Sequence, residues 1–160
     1  MESCAASLQL SPTAVAQSDD FPFQSVRPGY EQHTVPQSQS GQSEDVSVLV
    51  VDDHAMFREV IVDILDQEPG FIVSQAESLA QARQMLEGVD VAILDLSLPD
   101  GNGVELIQEL HDVNSDAKAI VFSSALSHAT AHQALDRGAA AALDKLDGFR
   151  ELLATVKRLQ

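Results

Sequence analysis

The chain has 160 residues, 44% of them hydrophobic, which is enough for one domain of ordinary size with its own core but crowded for two. A formal net charge of −16 and a pI near 4.3 repel a phosphate backbone at neutral pH, so this chain is not expected to bind nucleic acid unaided. The single cysteine, Cys4, excludes an internal disulfide, and neither a basic leader nor a membrane-length apolar run is present, so the expectation is a soluble, cytoplasmic protein with no membrane partner.

Residues 1–45 are rich in Ser, Gln and Pro and show no apolar period, so a disordered leader is expected there. Phe21, Phe23, Val26 and Tyr30 are among its few large apolar residues, and a short docking segment is the alternative reading. From Val46 the texture changes to short apolar runs alternating with amphipathic stretches. Strands are predicted over Val46–Val51, Phe71–Gln75, Val89–Leu94, Lys118–Ser123 and Ala140–Leu143. Four helices lie between them and a fifth closes the chain. The first carries Phe57, Val60, Ile61, Ile64 and Leu65 at helical spacing and ends at Pro69-Gly70; the third carries Val104, Ile107 and Leu110; the last carries Phe149, Leu152, Leu153, Val156 and Leu159. Residues 46–160 therefore read as an α/β domain, a five-stranded parallel doubly wound sheet of flavodoxin-like order 2-1-3-4-5 with five helices.

Ligands of such sheets sit beyond the carboxyl ends of the strands, near the switch point between strands 1 and 3. There the sequence places Asp52, Asp53 and His54 after strand 1, Asp95 after strand 3, Ser123 and Ser124 at the end of strand 4, and Asp144 and Lys145 after strand 5. Clustered carboxylates repel one another unless a cation intervenes, and an oxygen-rich set of this kind suits Mg²⁺. Helix capping is the bland alternative for any one of these acids, but it does not explain acids on two strand ends together with an ammonium on a third. Phosphoryl transfer needs a nucleophilic oxygen, a divalent ion and a cationic or hydrogen-bonding partner, and this edge supplies the residues for all three. Asp95, at the end of the central strand, is the best-placed acceptor, as an acyl phosphate.

Val50-Val51-Asp52-Asp53-His54, the run Ile93-Leu94-Asp95-Leu96-Ser97-Leu98-Pro99-Asp100-Gly101, Ser123, and Gly138-Ala139 before Lys145 resemble the response-regulator receiver family of two-component signalling. The resemblance covers Val46 to the C-terminus, and His54 followed by Phe57-Arg58-Glu59 is similar to the receivers that precede a helix-turn-helix DNA-binding domain. It implies that Asp95 takes a phosphoryl group from a sensor histidine kinase or phosphotransfer protein. It further implies Mg²⁺ held by Asp53, Asp95 and the backbone carbonyl of Ser97, with Asp52 acting through water. Lys145 pairs with the acceptor or its phosphoryl oxygens and Ser123 hydrogen-bonds the group on arrival; Ser124 is an equal donor until the register is known. A homodimer through the fourth helix, fifth strand and fifth helix, and a role as the regulatory part of a transcription regulator, are also implied.

One departure from the family pattern stands out. Three residues before Lys145, where the family carries Tyr or Phe, stands Ala142, so the usual aromatic relay is missing while the acceptor chemistry is not. A stand-alone or degenerate receiver, acting as an interaction module without DNA binding, is therefore the alternative. An aspartyl-phosphatase enzyme needs a second acid two residues after the nucleophile, and Ser97 stands there, so a non-enzyme is expected. His54, His111, His128 and His132 read as exposed helix residues rather than metal ligands, and Gly101-Asn102-Gly103 as a turn before the third helix.

Overall fold

The computed structural model describes residues 45–160, and the leader expected over residues 1–45 lies almost wholly outside them. Within the described residues the expected sheet forms. Strands β1 (Val46–Val51), β2 (Phe71–Ala76), β3 (Val91–Leu94), β6 (Lys118–Ser123) and β7 (Ala141–Asp144) make one parallel sheet in the order β2-β1-β3-β6-β7, the 2-1-3-4-5 topology. A separate two-residue pair, β4 (Ser97–Leu98) and β5 (Gly101–Asn102), runs antiparallel in the loop after β3.

The alternation of strand side chains divides the apolar residues between two faces. Val48, Val50, Val91, Ile93, Ile120 and Phe122 meet the helices α1 (Ala55–Asp66) and α5 (Phe149–Leu159) through Ile61, Leu65, Leu152 and Val156. Leu49, Val51, Ala92, Leu94, Ala119 and Val121 meet α2 (Leu79–Arg83), α3 (Glu105–Val113) and α4 (His128–Asp136) through Leu79, Ala82, Leu106, Ile107, Leu110 and Ala134. The central strands are apolar on both faces because both are covered.

Differences from the sequence reading sit at element ends. The third strand begins at Val91 rather than Val89, because the Val89 N–H turns back to the Leu86 carbonyl (3.3 Å) and closes the turn after α2. The second helix has only five residues; Ser78 caps it, accepting from the Gln81 N–H at 3.2 Å. Its first two free N–H groups, on Leu79 and Ala80, donate to the two carboxylate oxygens of Asp100 at 2.8 Å each. Those two bonds, from Ala80 and then Leu79, hold the Asp100 carboxyl below its ordinary pKa and tie the loop after β3 to the start of α2.

Candidate functional site

Register brings the strand-end acids together. Val51 is paired with Leu94, and the Asp95 N–H donates to the Val51 carbonyl at 2.9 Å, so Asp52 and Asp95 leave adjacent strands side by side. Both are nearly sealed from solvent, at 2% and 4% exposure. Neither Asp52 nor Asp53 caps α1: the cap position is His54, without a side-chain cap bond, and Asp52 Oδ1 instead accepts from the His54 N–H at 2.9 Å. The capping alternative for the first acid pair therefore falls away.

Lys145 arrives from the far edge. Ser123 pairs with Asp144 across β6 and β7, and the chain then enters a single 3₁₀ turn, Lys145–Asp147. Asp144 Oδ1 accepts from the Leu146 N–H (2.9 Å) and Asp147 Oδ2 accepts from the Asp144 N–H (3.2 Å), which fixes the backbone of Lys145 just past the strand. Its ammonium lies 2.7 Å from Asp52 Oδ2 and 2.5 Å from Asp95 Oδ2. Burial opposes a charge on Lys145, but the bonds to Asp52 and Asp95 outweigh it and hold its pKa above the ordinary lysine value.

The other Asp95 oxygen, Oδ1, accepts from Ser123 Oγ at 2.6 Å and from the Ser97 N–H at 3.3 Å. Ser123 is fully buried, and its Oγ also accepts from the Ala125 N–H at 3.2 Å. Ser124 is exposed, so the register resolves the choice between the two serines in favour of Ser123 at Asp95. Gly103 matters here for steric reasons: a Cβ on it would run into the backbone carbonyl of Asp95. The turn expected at Gly101-Asn102-Gly103 is present, as the return arm of the small β4–β5 pair, with the Gly103 N–H closing onto the Leu96 carbonyl at 3.1 Å.

Some neighbours of the site were not expected from sequence. His54, set aside there with the helical histidines, joins the site instead: its Nδ1 lies 2.9 Å from Asp53 Oδ1, and ligand atoms of Asp52, Asp53, His54 and Asp95 all fall within 4.8 Å of one another. His111 also differs from expectation; it is half-buried, and its ring lies against the backbone at Gly138. Arg58 donates from Nη1 to the Asp52 carbonyl at 2.6 Å and from Nε to Gln75 Oε1 at 3.0 Å, bracing the loop after β1. Phe57 places its ring 4.6 Å from Lys145 Nζ, a cation–π contact. Residue type alone gave no sign of Arg58 as a brace, since an arginine on a first helical turn is ordinarily solvated.

The donor set suits a divalent cation. Asp52, Asp53 and Asp95 bring three carboxylates to one place, and Lys145 is the only ammonium paired with them among the described residues, so negative charge remains for a cation to neutralise. Carboxylate oxygens with one side open to solvent, as at Asp53, are the ligands hard cations such as Mg²⁺ favour.

A five-stranded sheet of this order with paired acids, a central aspartate and a lysine at its carboxyl edge is the architecture of a receiver-type domain. The family described as "Response regulator receiver domain" matches residues 48–157, and the chain belongs to that family. Among curated relatives, the DNA-binding transcriptional activator DevR/DosR of Mycobacterium tuberculosis is 36% identical over 115 residues, covering 70% of this chain and 53% of that protein. A protein-glutamate methylesterase/protein-glutamine glutaminase of Treponema denticola is 42% identical over 84 residues, 51% of this chain and 23% of that protein. The chain thus spans about half or less of the length of these relatives. Among solved structures, a response regulator protein from Burkholderia pseudomallei with a phosphorylated aspartic acid, calcium ion and citrate superposes with a TM-score of 0.64 at 31% identity, covering 69% of this chain and 65% of that one. No helix among the described residues is long and apolar enough to cross a membrane.

Proposed function

We propose that this domain is a phosphorylation-controlled switch whose acceptor is Asp95. The observation that carries the reading is the division of labour around one buried carboxylate: Ser123 Oγ holds Oδ1 at 2.6 Å while Lys145 Nζ holds Oδ2 at 2.5 Å. A carboxylate so fixed is a preoriented nucleophile, and its two partners are donors that can follow negative charge onto a phosphoryl group.

In the transfer step an oxygen of Asp95 attacks phosphorus of a phosphohistidine on a sensor kinase or phosphotransfer protein. The O–P bond forms, the P–N bond breaks, and the electron pair leaves with the imidazole nitrogen, which then takes a proton from water. Lys145 neutralises charge on the transferred oxygens and Ser123 donates to one of them. Asp53, Asp95 and the Ser97 backbone carbonyl would hold Mg²⁺, with Asp52 acting through water; the ion supplies neutralisation of the remaining phosphoryl oxygens. Arg58 keeps the Asp52 carbonyl, and with it the acid pair, in place.

The likeness to DevR/DosR, a DNA-binding transcriptional activator, supports a receiver that forms the regulatory part of a transcription regulator. Pairing through α4, β7 and α5 is the proposed assembly, and Leu135 on α4, 45% exposed, offers an apolar contact there. Ala142 keeps a second reading in play, a receiver that acts as a protein-interaction module without phosphorylation, because no ring stands three residues before Lys145.

Incubation with Mg²⁺ and acetyl phosphate followed by intact-mass measurement separates the two. The switch reading expects one phosphate adduct that disappears in Asp95→Asn and in the presence of a chelator. No adduct on the wild-type chain, or one that survives Asp95→Asn, overturns it in favour of the interaction module.

A further inference from the structure

The four phenylalanines of the described residues are not spread evenly. Phe71, Phe122 and Phe149 lie in the apolar layer between the sheet and α1–α5, and Phe57 touches Phe149 there; the opposite layer, under α2, α3 and α4, is lined by aliphatic residues. Ala142 faces that aliphatic layer, paired in register with Val121. The side of the sheet where the family carries its aromatic relay is thus the side without phenylalanines.

Three of the phenylalanines form a row. Phe57 and Phe149 have centroids 6.0 Å apart, and Phe149 and Phe122 5.9 Å apart, both tilted. The two ends of this row meet the two groups that hold Asp95. At one end Phe57 lies 4.6 Å from Lys145 Nζ; at the other, Phe122 immediately precedes Ser123 in β6. The middle ring, Phe149, is the first residue of α5, and a small apolar hollow lined by Ile61, Ile64, Leu65, Leu152 and Leu153 borders it.

We propose that the state of Asp95 is transmitted to the α1–α5 face through Phe57, Phe149 and Phe122, with Phe149 as the coupling residue. The proposal rests on the acceptor reading of Asp95. Acylation of one carboxylate oxygen moves negative charge outward by the length of a phosphoryl group. Lys145 and Ser123 follow that charge: the ammonium, still paired with Asp52 at 2.7 Å, turns toward the phosphoryl oxygens, and the Ser123 hydroxyl that donates to Asp95 Oδ1 turns with them. Each displacement acts on one end of the row: the ammonium leaves its place over Phe57, and β6 carries Phe122 with Ser123. The hollow beside Phe149, about 10 Å³, admits only a small tilt of the ring, so the displacements pass on to the start of α5. The start of α5 and its contact with α1 are then what changes between the two states.

Methyl NMR on the full chain, titrated with Mg²⁺ and beryllofluoride as an acyl-phosphate mimic, tests this. Ile61, Ile64, Leu152 and Leu153 are expected to shift at least as much as Leu126 and Leu135 on the α4 side. In Phe149→Leu the adduct still forms, seen by its bound ¹⁹F signal, while the α1–α5 shifts fall severalfold; Phe122→Leu, read the same way, serves as the second variant. Shifts confined to Leu126 and Leu135, or α1–α5 shifts that persist in both variants, overturn the relay and leave the acceptor intact. Absence of any adduct on the wild-type chain overturns the acceptor reading, and the relay with it.

Discussion

Asp95 and Lys145 are fifty residues apart in sequence, yet their carboxylate and ammonium stand 2.5 Å apart in the interior, each about 3–4% exposed. Removing one member of a buried pair costs far more than a surface ion pair is worth, because the remaining charge keeps its desolvation penalty.

Lys145→Met, which keeps the length and removes the charge, leaves Asp52 and Asp95 facing each other unpaired. A loss of about 3–5 kcal/mol in urea unfolding without Mg²⁺ is expected, with part of it recovered when Mg²⁺ is added. The pH dependence has a definite sign. Lys145 has its folded pKa raised above 10.5, so its contribution is fully present below that value and is lost as pH climbs through the higher folded value. From neutral pH upward the stability gap between wild type and Lys145→Met should therefore be constant and narrow only above pH 10.5. A gap that narrows between neutral pH and pH 10.5 would contradict the ion-pair account.

Ser123 and Ser124 should separate cleanly. Ser123→Ala removes the shorter of the two bonds to Asp95 Oδ1 and strands the Ala125 N–H, at a cost of about 1–3 kcal/mol, and slows phosphate uptake from acetyl phosphate. Ser124→Ala, at an exposed position, should change stability by less than about 0.5 kcal/mol and leave uptake unaltered. Urea midpoints and timed intact-mass spectra measure both.

Gly103→Ala adds a Cβ where the Asp95 carbonyl already stands. Overpacking of this kind costs about 1–3 kcal/mol, and relief requires the loop after β3 to move. Circular dichroism should show a folded protein while the mass assay shows reduced phosphate uptake; full uptake would mean the loop yields without disturbing the acceptor.

Asp100→Ala removes the acceptor for the Leu79 and Ala80 N–H groups. Their amide exchange should quicken selectively, with Leu106 and Ile107 in α3 unaffected. The folded pKa of Asp100 is lowered from 3.8, so its bonds persist above that pH and are lost as pH falls through the lower folded value. Wild-type protection at these two amides should then drop on acidification below pH 3.8, whereas Asp100→Ala shows no such drop.

Much of this was legible in the sequence because strand-end chemistry follows from topology. Once Val46–Val51 and the run ending at Leu94 are read as neighbouring parallel strands, Asp52 and Asp95 must emerge together. Lys145 needed only the order of the last two strands. What escaped depends on register and long-range geometry. Ser123 could not be told from Ser124 until Ser123 was paired with Asp144. The place of His54 beside Asp53 depends on the angle at which the chain enters α1. The capping of α2 by Asp100 joins groups twenty or more residues apart, for which no local pattern exists. The aromatic row likewise depends on three elements meeting, although the bare fact that Ala142 is not a ring was visible from the start.

β7 is an edge strand made of Ala141, Ala142, Leu143 and Asp144, only partly buried and carrying two alanines, which have little preference for extended structure. Such an edge is where opening should begin, since little side-chain surface fastens it. Lys145 follows directly and is clamped by two buried carboxylates, so it acts as a bolt for the strand that delivers it. Should the edge peel away, the carboxylates would lose their counter-ion and be drawn toward solvent or metal. Occupancy of the site and docking of residues 141–160 are in this way a single equilibrium.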